Sequence, residues 1–326
     1  LPLDCLTEPD VTLKEGYGHA GDAAILLYAI LSELGLQPEF ILATTSPRYN
    51  KILQNAINTP SYTLYDAVLV RVVDDGKTIW LNDQNHYAQL GTTRFEDCPA
   101  LLMNGKSDTI KPDQDRKDET HTLVTLEIKD DATAILTERE LVSGSSFTGF
   151  KQLYDEITPE ERRRHIQEII AGISQNATLI GEFTTKFDQY PGERSFACQI
   201  KDYGVIDKDF MYFNILTGRF TRALSSLTDK RKNPLYWSWP VRNRYEARLV
   251  LPPSYKNVLI LPEVLEWTQP SGDGTLSAKV TRQDNGDILF TYEVNLKPDV
   301  IQPEQYQELV EIAKRLTHPA MRTILL

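Results

Sequence analysis

A two-stranded hairpin is the element that this sequence constrains most tightly. Two runs rich in β-branched and aromatic residues, 65–74 and 77–84, flank Asp75-Gly76, and an Asp-Gly pair is typical of a two-residue hairpin loop. With such a loop, residues whose numbers sum to 151 face each other. This register places Ala67 diagonal to Asn82 on one face of the hairpin, within reach of long side chains.

A glycine-rich turn followed by an apolar helix precedes the hairpin. Gly16 and Gly18 allow a tight turn, and Asp22 falls in the first helical turn, where a carboxylate interacts favourably with the helix dipole. Apolar residues then recur at helical spacing until Gly35, namely Ile25, Leu26, Ile30, Leu31 and Leu34. The pattern predicts a buried amphipathic helix.

Residues 12–27 resemble a motif of the transglutaminase-like superfamily, T-L-x-x-x-x-G-D-C-K-D-x-A-x-L-L. The positions that match are Gly18, Asp22, Ala24, Leu26 and Leu27. The resemblance implies a papain-like core in which the cysteine nucleophile stands at a helix N-terminus, where the dipole favours the thiolate. In this chain the cysteine position holds Ala20, which cannot ionise.

The hairpin is also similar to one in that family, which carries a histidine on its first strand and an aspartate after the tryptophan of its second. Ala67 stands at the histidine position and Asn82 at the aspartate position. A loop one residue longer would bring Asp83 to the same face instead, and this alternative stays open. The segment 85–91 looks like the family's loop that leaves the site. The resemblance therefore implies a pseudoenzyme that has lost nucleophile, base and orienting group together.

The candidate residues lining the former cleft are His19, Asp66, Trp80 and Asp83. They offer few polar groups, and binding pockets usually keep several placed polar groups. We therefore expect the cleft to be closed by neighbouring side chains rather than open to a ligand.

Cysteine and histidine usage bears on the alternative of an active enzyme. Cys5, Cys98 and Cys198 form an odd set that implies no disulfide framework. Cys5 is the alternative nucleophile for a thiol hydrolase or acyl transferase, but the nearby acidic residues give it no electropositive surroundings. The five histidines are scattered without metal-ligand spacing, so the sequence predicts neither a metal nor a cofactor.

The charge pattern restricts the possible partners. A net charge of −11 argues against nucleic acid, because phosphate binding needs clustered Lys and Arg. The cluster 162–164 follows two glutamates on a predicted helix and is interpreted as a solvated face. No apolar run of 18 residues occurs, so no membrane span is predicted. The oligomeric state cannot be read from this pattern.

A polar stretch containing a proline, 110–119, is interpreted as a linker. It divides the chain into a degenerate transglutaminase-like domain, 1–112, and a β-rich region, 113–326, with a further boundary near 235. Helices are predicted at 149–157, 159–175 and 303–317, with Thr158, Pro159 and Glu161 forming a capping box. A short strand is predicted at 258–261 among many others.

The C-terminal half resembles the β-rich end of bacterial multidomain proteins with a transglutaminase-like core. The similar segments are 251–262, the turn at 283–287 and 301–306. This resemblance implies an extracytoplasmic location, either periplasmic or at the cell surface.

One aromatic cluster, Tyr236, Trp237 and Trp239, is a candidate stacking platform for a sugar or peptide. The alternative that we favour is an anchor for the edge of the β-rich region.

These observations predict an α+β fold: a partial papain-like core of helix and antiparallel hairpin, followed by a β-sandwich-like region with inserted helices. The function that they favour is a non-catalytic binding or scaffolding module for a peptide, polysaccharide or protein. A working thiol enzyme and a purely structural spacer are the other two hypotheses.

Overall fold

The computed structural model describes residues 6–44, 55, 57–59, 61, 64–81, 85–215, 224, 227, 230–237, 240–255 and 257–326. The chain forms two compact units. The first contains residues 1–118 and 143–149, and the second contains residues 119–142 and 150–326. The segment 143–149 thus belongs to the first unit although the residues just before it belong to the second.

The first unit combines two helices with an antiparallel sheet. Its elements are α1 (Pro9–Glu15), α2 (Ala20–Glu33), β1 (Glu39–Ala43), β2 (Ala67–Asp74), β3 (Lys77–Leu81), β4 (Pro99–Leu102) and β5 (Ser107–Thr109). The strand order is β3-β2-β1-β4-β5. A short 3₁₀ turn, Gln114–Arg116, follows the sheet.

The predicted hairpin register is confirmed for the described pairs. Arg71 faces Trp80 and Asp74 faces Lys77, as a two-residue loop requires. Asp75 and Gly76 both adopt positive φ, 46° and 75°, which is the conformation of a type I′ turn. The loop chemistry therefore fixes which residues share a face.

The second unit is built on an eight-stranded sheet. Its strands are β6 (Glu119–Ile128), β7 (Ala134–Ser143), β8 (Ala177–Lys186), β9 (Gly192–Ile200), β10 (Val205–Asp207), β11 (Phe210–Asn214), β12 (Leu235–Trp237), β13 (Val241–Val250), β14 (Leu265–Thr268), β15 (Thr275–Arg282), β16 (Ile288–Leu296), β17 (Asp299–Ile301) and β18 (Thr323–Leu325). The large sheet has the order β14-β15-β16-β13-β6-β7-β9-β8. β13 pairs in parallel with β6 and antiparallel with β16.

Smaller elements cover this sheet. β10-β11-β18 and β12-β17 form separate small sheets. The helices of this unit are α4 (Pro159–Ile173) and α5 (Pro303–Thr317), together with residues 150–156 of α3 (Gly144–Glu156), whose first residues belong to the first unit. One continuous apolar core joins the large sheet to β11, β18 and α5, with Phe213, Tyr306 and Ile324 all buried. The predicted α+β class with a β-rich region is confirmed.

Three local predictions need correction. α2 is only partly buried, because its apolar residues surround the helix and a single sheet can cover one side: Ile30 is 44% exposed and Leu34 71%. α3 begins at Gly144 rather than 149, directly after β7. Residues 258–261 form no strand. In this proline-flanked segment Ile260 makes an isolated bridge to Leu325.

Among the described residues, no helix has the length and apolar content that crossing a membrane requires.

Candidate functional site

The N-terminus of α2 is where the family resemblance places the nucleophile. Ala20 is the first helical residue, as expected, and it is exposed. His19 is the N-cap: its Nδ1 accepts hydrogen bonds from the backbone N–H of Gly21 at 3.0 Å and of Asp22 at 3.3 Å. The N–H groups of Gly21 and Asp22, which could otherwise face an anionic ligand or thiolate, are thus bonded within the chain.

Asp22 completes the cap from the other side. Its carboxylate accepts from the backbone N–H of His19 at 3.0 Å and of Thr7 at 2.8 Å. The Thr7 hydrogen bond is the largest cause of the lowered pKa of Asp22, so this buried carboxylate is charged at neutral pH. The positive end of the helix dipole is therefore already compensated by a fixed negative charge.

The glycines before and within the helix start are required by close contacts. A Cβ at Gly18 would lie 2.8 Å from the Asp22 Cβ. A Cβ at Gly21 would lie 2.8 Å from the His19 ring. Gly16, with φ 71°, ends α1 in the left-handed conformation that glycine adopts without strain. The matches to the family motif at this turn have a structural explanation.

The hairpin positions are placed as follows. Ala67 is the first residue of β2, faces Ala43 across the sheet and packs against the core of the unit. Trp80 is 4% exposed in the same core. Asp66 is exposed just before β2, and its N–H donates to the Ala43 carbonyl at 3.0 Å. α2 reaches the sheet on the opposite face, where Tyr28 stacks on Phe40 with centroids 4.3 Å apart.

Asn82 and Asp83 lie outside the described residues, as do Cys5 and Trp239. The convergence of Ala20, Ala67 and Asn82 therefore stays a prediction.

The two described cysteines are not exposed nucleophiles. Cys98 and Cys198 are both buried, with no exposed surface. No group of three or more His, Cys, Asp or Glu side chains that could hold a metal ion occurs in the described part of the chain.

The aromatic cluster is divided between surface and core. Tyr236 is 37% exposed, whereas Trp237 packs against the core of the second unit. Both belong to β12, which pairs with β17. The described part of the cluster thus has one exposed ring.

The 162–164 cluster is solvated at Arg163 and Arg164 but not at Arg162. The Arg162 guanidinium lies 5.3 Å from the Tyr154 ring centre and donates to Thr185 Oγ1 at 2.9 Å. This arginine therefore ties α4 to α3 and β8.

A buried charged cluster that sequence reasoning missed lies on the inner face of the large sheet. Arg194 of β9 faces Glu140 of β7. Its Nη2 lies 2.6 Å from Glu140 Oε2 and 3.7 Å from Glu138 Oε1. The three side chains are 8%, 10% and 3% exposed, so two carboxylates share one cation away from water.

His165 and Tyr154 flank this cluster. Tyr154 Oη lies 3.4 Å from His165 Nε2. Burial, and next the positive charge of Arg194, lower the pKa of His165; the charges of Glu168 and Arg162 on its own helix act in opposite directions. Burial raises the pKa of Tyr154. His165 is therefore neutral near pH 7.

The signal for this cluster was present in the alternation of β7. Glu138 and Glu140 fall on the same inward parity as Leu136 and Val142. Arg194 has the inward parity of Phe196 on β9. Charged residues at inward positions of two neighbouring strands indicate a buried ion cluster.

Comparisons with known proteins found a family model and a solved structure that are similar to this chain. The model of the family DUF3858, described as a domain of unknown function with a solved structure, matches residues 209–326, about a third of the chain. A crystal structure from Parabacteroides distasonis, described as that of a proposed protease, is similar over 97% of this chain with a TM-score of 0.50 and 14% identity. This chain spans 45% of that protein. No curated protein matches it.

The fold and the first-unit site thus define an α+β protein with a self-capped helix start. The likeness to the P. distasonis structure shows this fold and nothing of the chemistry.

Proposed function

We propose that this chain is a catalytically inactive transglutaminase-like protein that acts as a binding or scaffolding module for a peptide, polysaccharide or protein partner. The observation that carries the proposal is the start of α2. The nucleophile position is Ala20, and the N–H groups behind it are bonded to the His19 ring. Covalent catalysis needs an ionisable nucleophile with a nearby base.

The remaining family positions support the same conclusion. Ala67 is a methyl group packed on the core, where a general base would need an imidazole. The described thiols are buried. The similar P. distasonis protein is described as a proposed protease, so loss of these groups would turn a hydrolase-like fold into a non-catalytic module. The proposal includes an extracytoplasmic location, because the family resemblance implies one.

The test is an activity assay on the purified chain with peptide amides and with a glutamine peptide plus a primary amine. We expect no turnover by the natural sequence or by Ala20→Cys, because a thiol alone lacks a base. Cys5→Ser is the control variant. Thiol-dependent turnover that disappears in Cys5→Ser would refute the proposal and support the hydrolase or acyl transferase alternative.

A further inference from the structure

A cavity of about 510 Å³ with a polar lining lies beside the buried charged cluster of the second unit. Its walls come from β6, β7, β9, β13 and β16, with α4 and Phe150 of α3. This volume falls within the range of about 300–1,000 Å³ usual for small-molecule sites. The cavity lies wholly within one unit.

Its polar lining contains both hydrogen-bond donors and acceptors. Glu140 and Arg194 contribute the two buried charges. Thr122, also buried, adds a hydroxyl group, and Asn243 and His165 add an amide and an imidazole.

The buried groups of the charged cluster are not fully hydrogen-bonded. The 2.6 Å contact between Glu140 and Arg194 is an ion pair that lacks hydrogen-bond geometry at Glu140 Oε2. Arg194 Nε has no hydrogen-bond partner among the described residues. Buried polar groups in native proteins are nearly always paired, with protein, water or ligand. The cluster therefore has hydrogen-bonding capacity to spare beside a cavity.

Aromatic surface lies next to these polar groups. Phe150, Tyr245 and Tyr292 line the same cavity. The Arg194 guanidinium lies 5.7 Å from the Phe150 ring centre, which fixes this ring beside the charges. A ligand in the cavity would thus meet both aromatic ring surface and polar groups.

The opposed charges decide the class of ligand. Glu168 and Arg244 also line the cavity, so its wall carries two charges of each sign. A singly charged ligand would therefore be attracted by some of these groups and repelled by the others. A neutral hydroxyl group can donate to the carboxylate and accept from the guanidinium. A neutral sugar ring carries several such hydroxyl groups on its edge and an apolar C–H face that packs on aromatic rings.

We propose that this cavity binds a neutral sugar, one or two rings in length. The inference rests on the binding role proposed above and names its ligand class and its site, which is separate from the start of α2. The sugar's hydroxyl edge faces Glu140, Arg194 and Thr122, and its C–H face packs on the aromatic wall.

The experiment uses the full chain and saturation-transfer NMR followed by calorimetry, with cellobiose, N,N′-diacetylchitobiose, glucuronate and a lysine-containing tripeptide as probes. We expect one of the neutral disaccharides to bind at least tenfold more tightly than glucuronate or the tripeptide. Thr122→Val should weaken this binding at least fivefold. Thr125→Val is the matched control, because Thr125 is exposed on the same strand and does not line the cavity.

Each outcome decides the inference. No binding of either neutral disaccharide at about 20 mM, roughly twentyfold above a millimolar Kd, would overturn the sugar site. Equal effects of the two threonine variants, or tighter binding of glucuronate or the tripeptide, would overturn it as well. The last result would leave the non-catalytic binding role intact. Release of monosaccharide from a bound disaccharide would instead overturn the proposed function, since the chain would then be an enzyme.

Discussion

Replacing Arg194 by methionine tests whether burial makes the charged cluster of β7 and β9 essential to the second unit. Methionine keeps most of the side-chain volume but leaves Glu138 and Glu140 without their cation. Because all three side chains are at least 90% buried, the loss should cost about 3–5 kcal/mol, the usual penalty for breaking a buried ion pair.

The same two strands provide a matched control on their outer face. Arg139 donates to Glu193 at 2.7 and 2.9 Å, but its side chain is 51% exposed. Lys186 also contacts Glu193, at 3.3 Å, and remains after Arg139 is removed. Glu193 itself is only 9% exposed, but Arg139 is half-exposed and Lys186 still compensates the carboxylate. Arg139→Met should therefore cost only about 1 kcal/mol, the upper end of the range for exposed pairs.

Hydrogen exchange of peptides from β7 and β9 is the suitable assay, because two compact units need not unfold in one transition. A difference of about 2–4 kcal/mol between the variants corresponds to exchange about 30- to 1,000-fold faster in Arg194→Met. Adding Glu140→Gln to that variant should slow exchange again, since one uncompensated charge is removed. Equal exchange in the two single variants would refute the reasoning.

Three further changes have defined outcomes. His19→Ala should speed exchange at the start of α2 by an amount equivalent to about 1 kcal/mol, and His19→Asn should not, because asparagine also caps helices. Gly144→Ala should lower the thermal midpoint strongly, because Gly144 has φ 64° and a Cβ would lie 2.4 Å from the Asp118 Cα. Gly149→Ala is the control and should raise the midpoint slightly, because Gly149 lies in open space within the same helix. The pKa of His165 is lower in the folded chain than in the unfolded chain, so the unfolded chain binds the proton first as the pH falls. Stability should therefore fall as the pH drops below about 6.5. His165→Gln should reduce this pH dependence, as measured by urea unfolding.

The elements that could be predicted from sequence are those fixed by neighbouring residues. The Asp75-Gly76 loop determines its own twist and hence the pairing of β2 with β3. The capping box of α4 is confirmed, with Thr158 Oγ1 accepting from the Glu161 N–H and the Glu161 carboxylate accepting from the Thr158 N–H. The helix predicted at 303–317 has the bounds that the structure shows.

Features that depend on distant residues could not be predicted in this way. The parallel pairing of β6 with β13 joins segments more than a hundred residues apart, and no local pattern encodes it. The helix predicted from residue 149 begins five residues earlier, because Gly144 adopts a positive φ that starts α3 directly after β7. The charged cluster was missed because Glu138, Glu140 and Arg194 come into contact only when β7 pairs with β9.

The start of α2 leads to a final prediction about the emptied catalytic position. A thiol introduced by Ala20→Cys would stand at a helix N-terminus, which by itself lowers a thiol pKa. Here the nearest N–H groups bond to His19, and the charged carboxylate of Asp22 belongs to the same first turn, so a second negative charge is disfavoured. In a Cys5→Ser background, the pH dependence of alkylation should give this thiol an ordinary pKa of about 8.5. Asp22→Asn should lower it, because the opposing charge is removed. A pKa below about 7 for this thiol, in the variant that keeps Asp22, would show that the helix start still stabilises a thiolate. The inference that the His19 and Asp22 cap prevents this stabilisation would then be wrong.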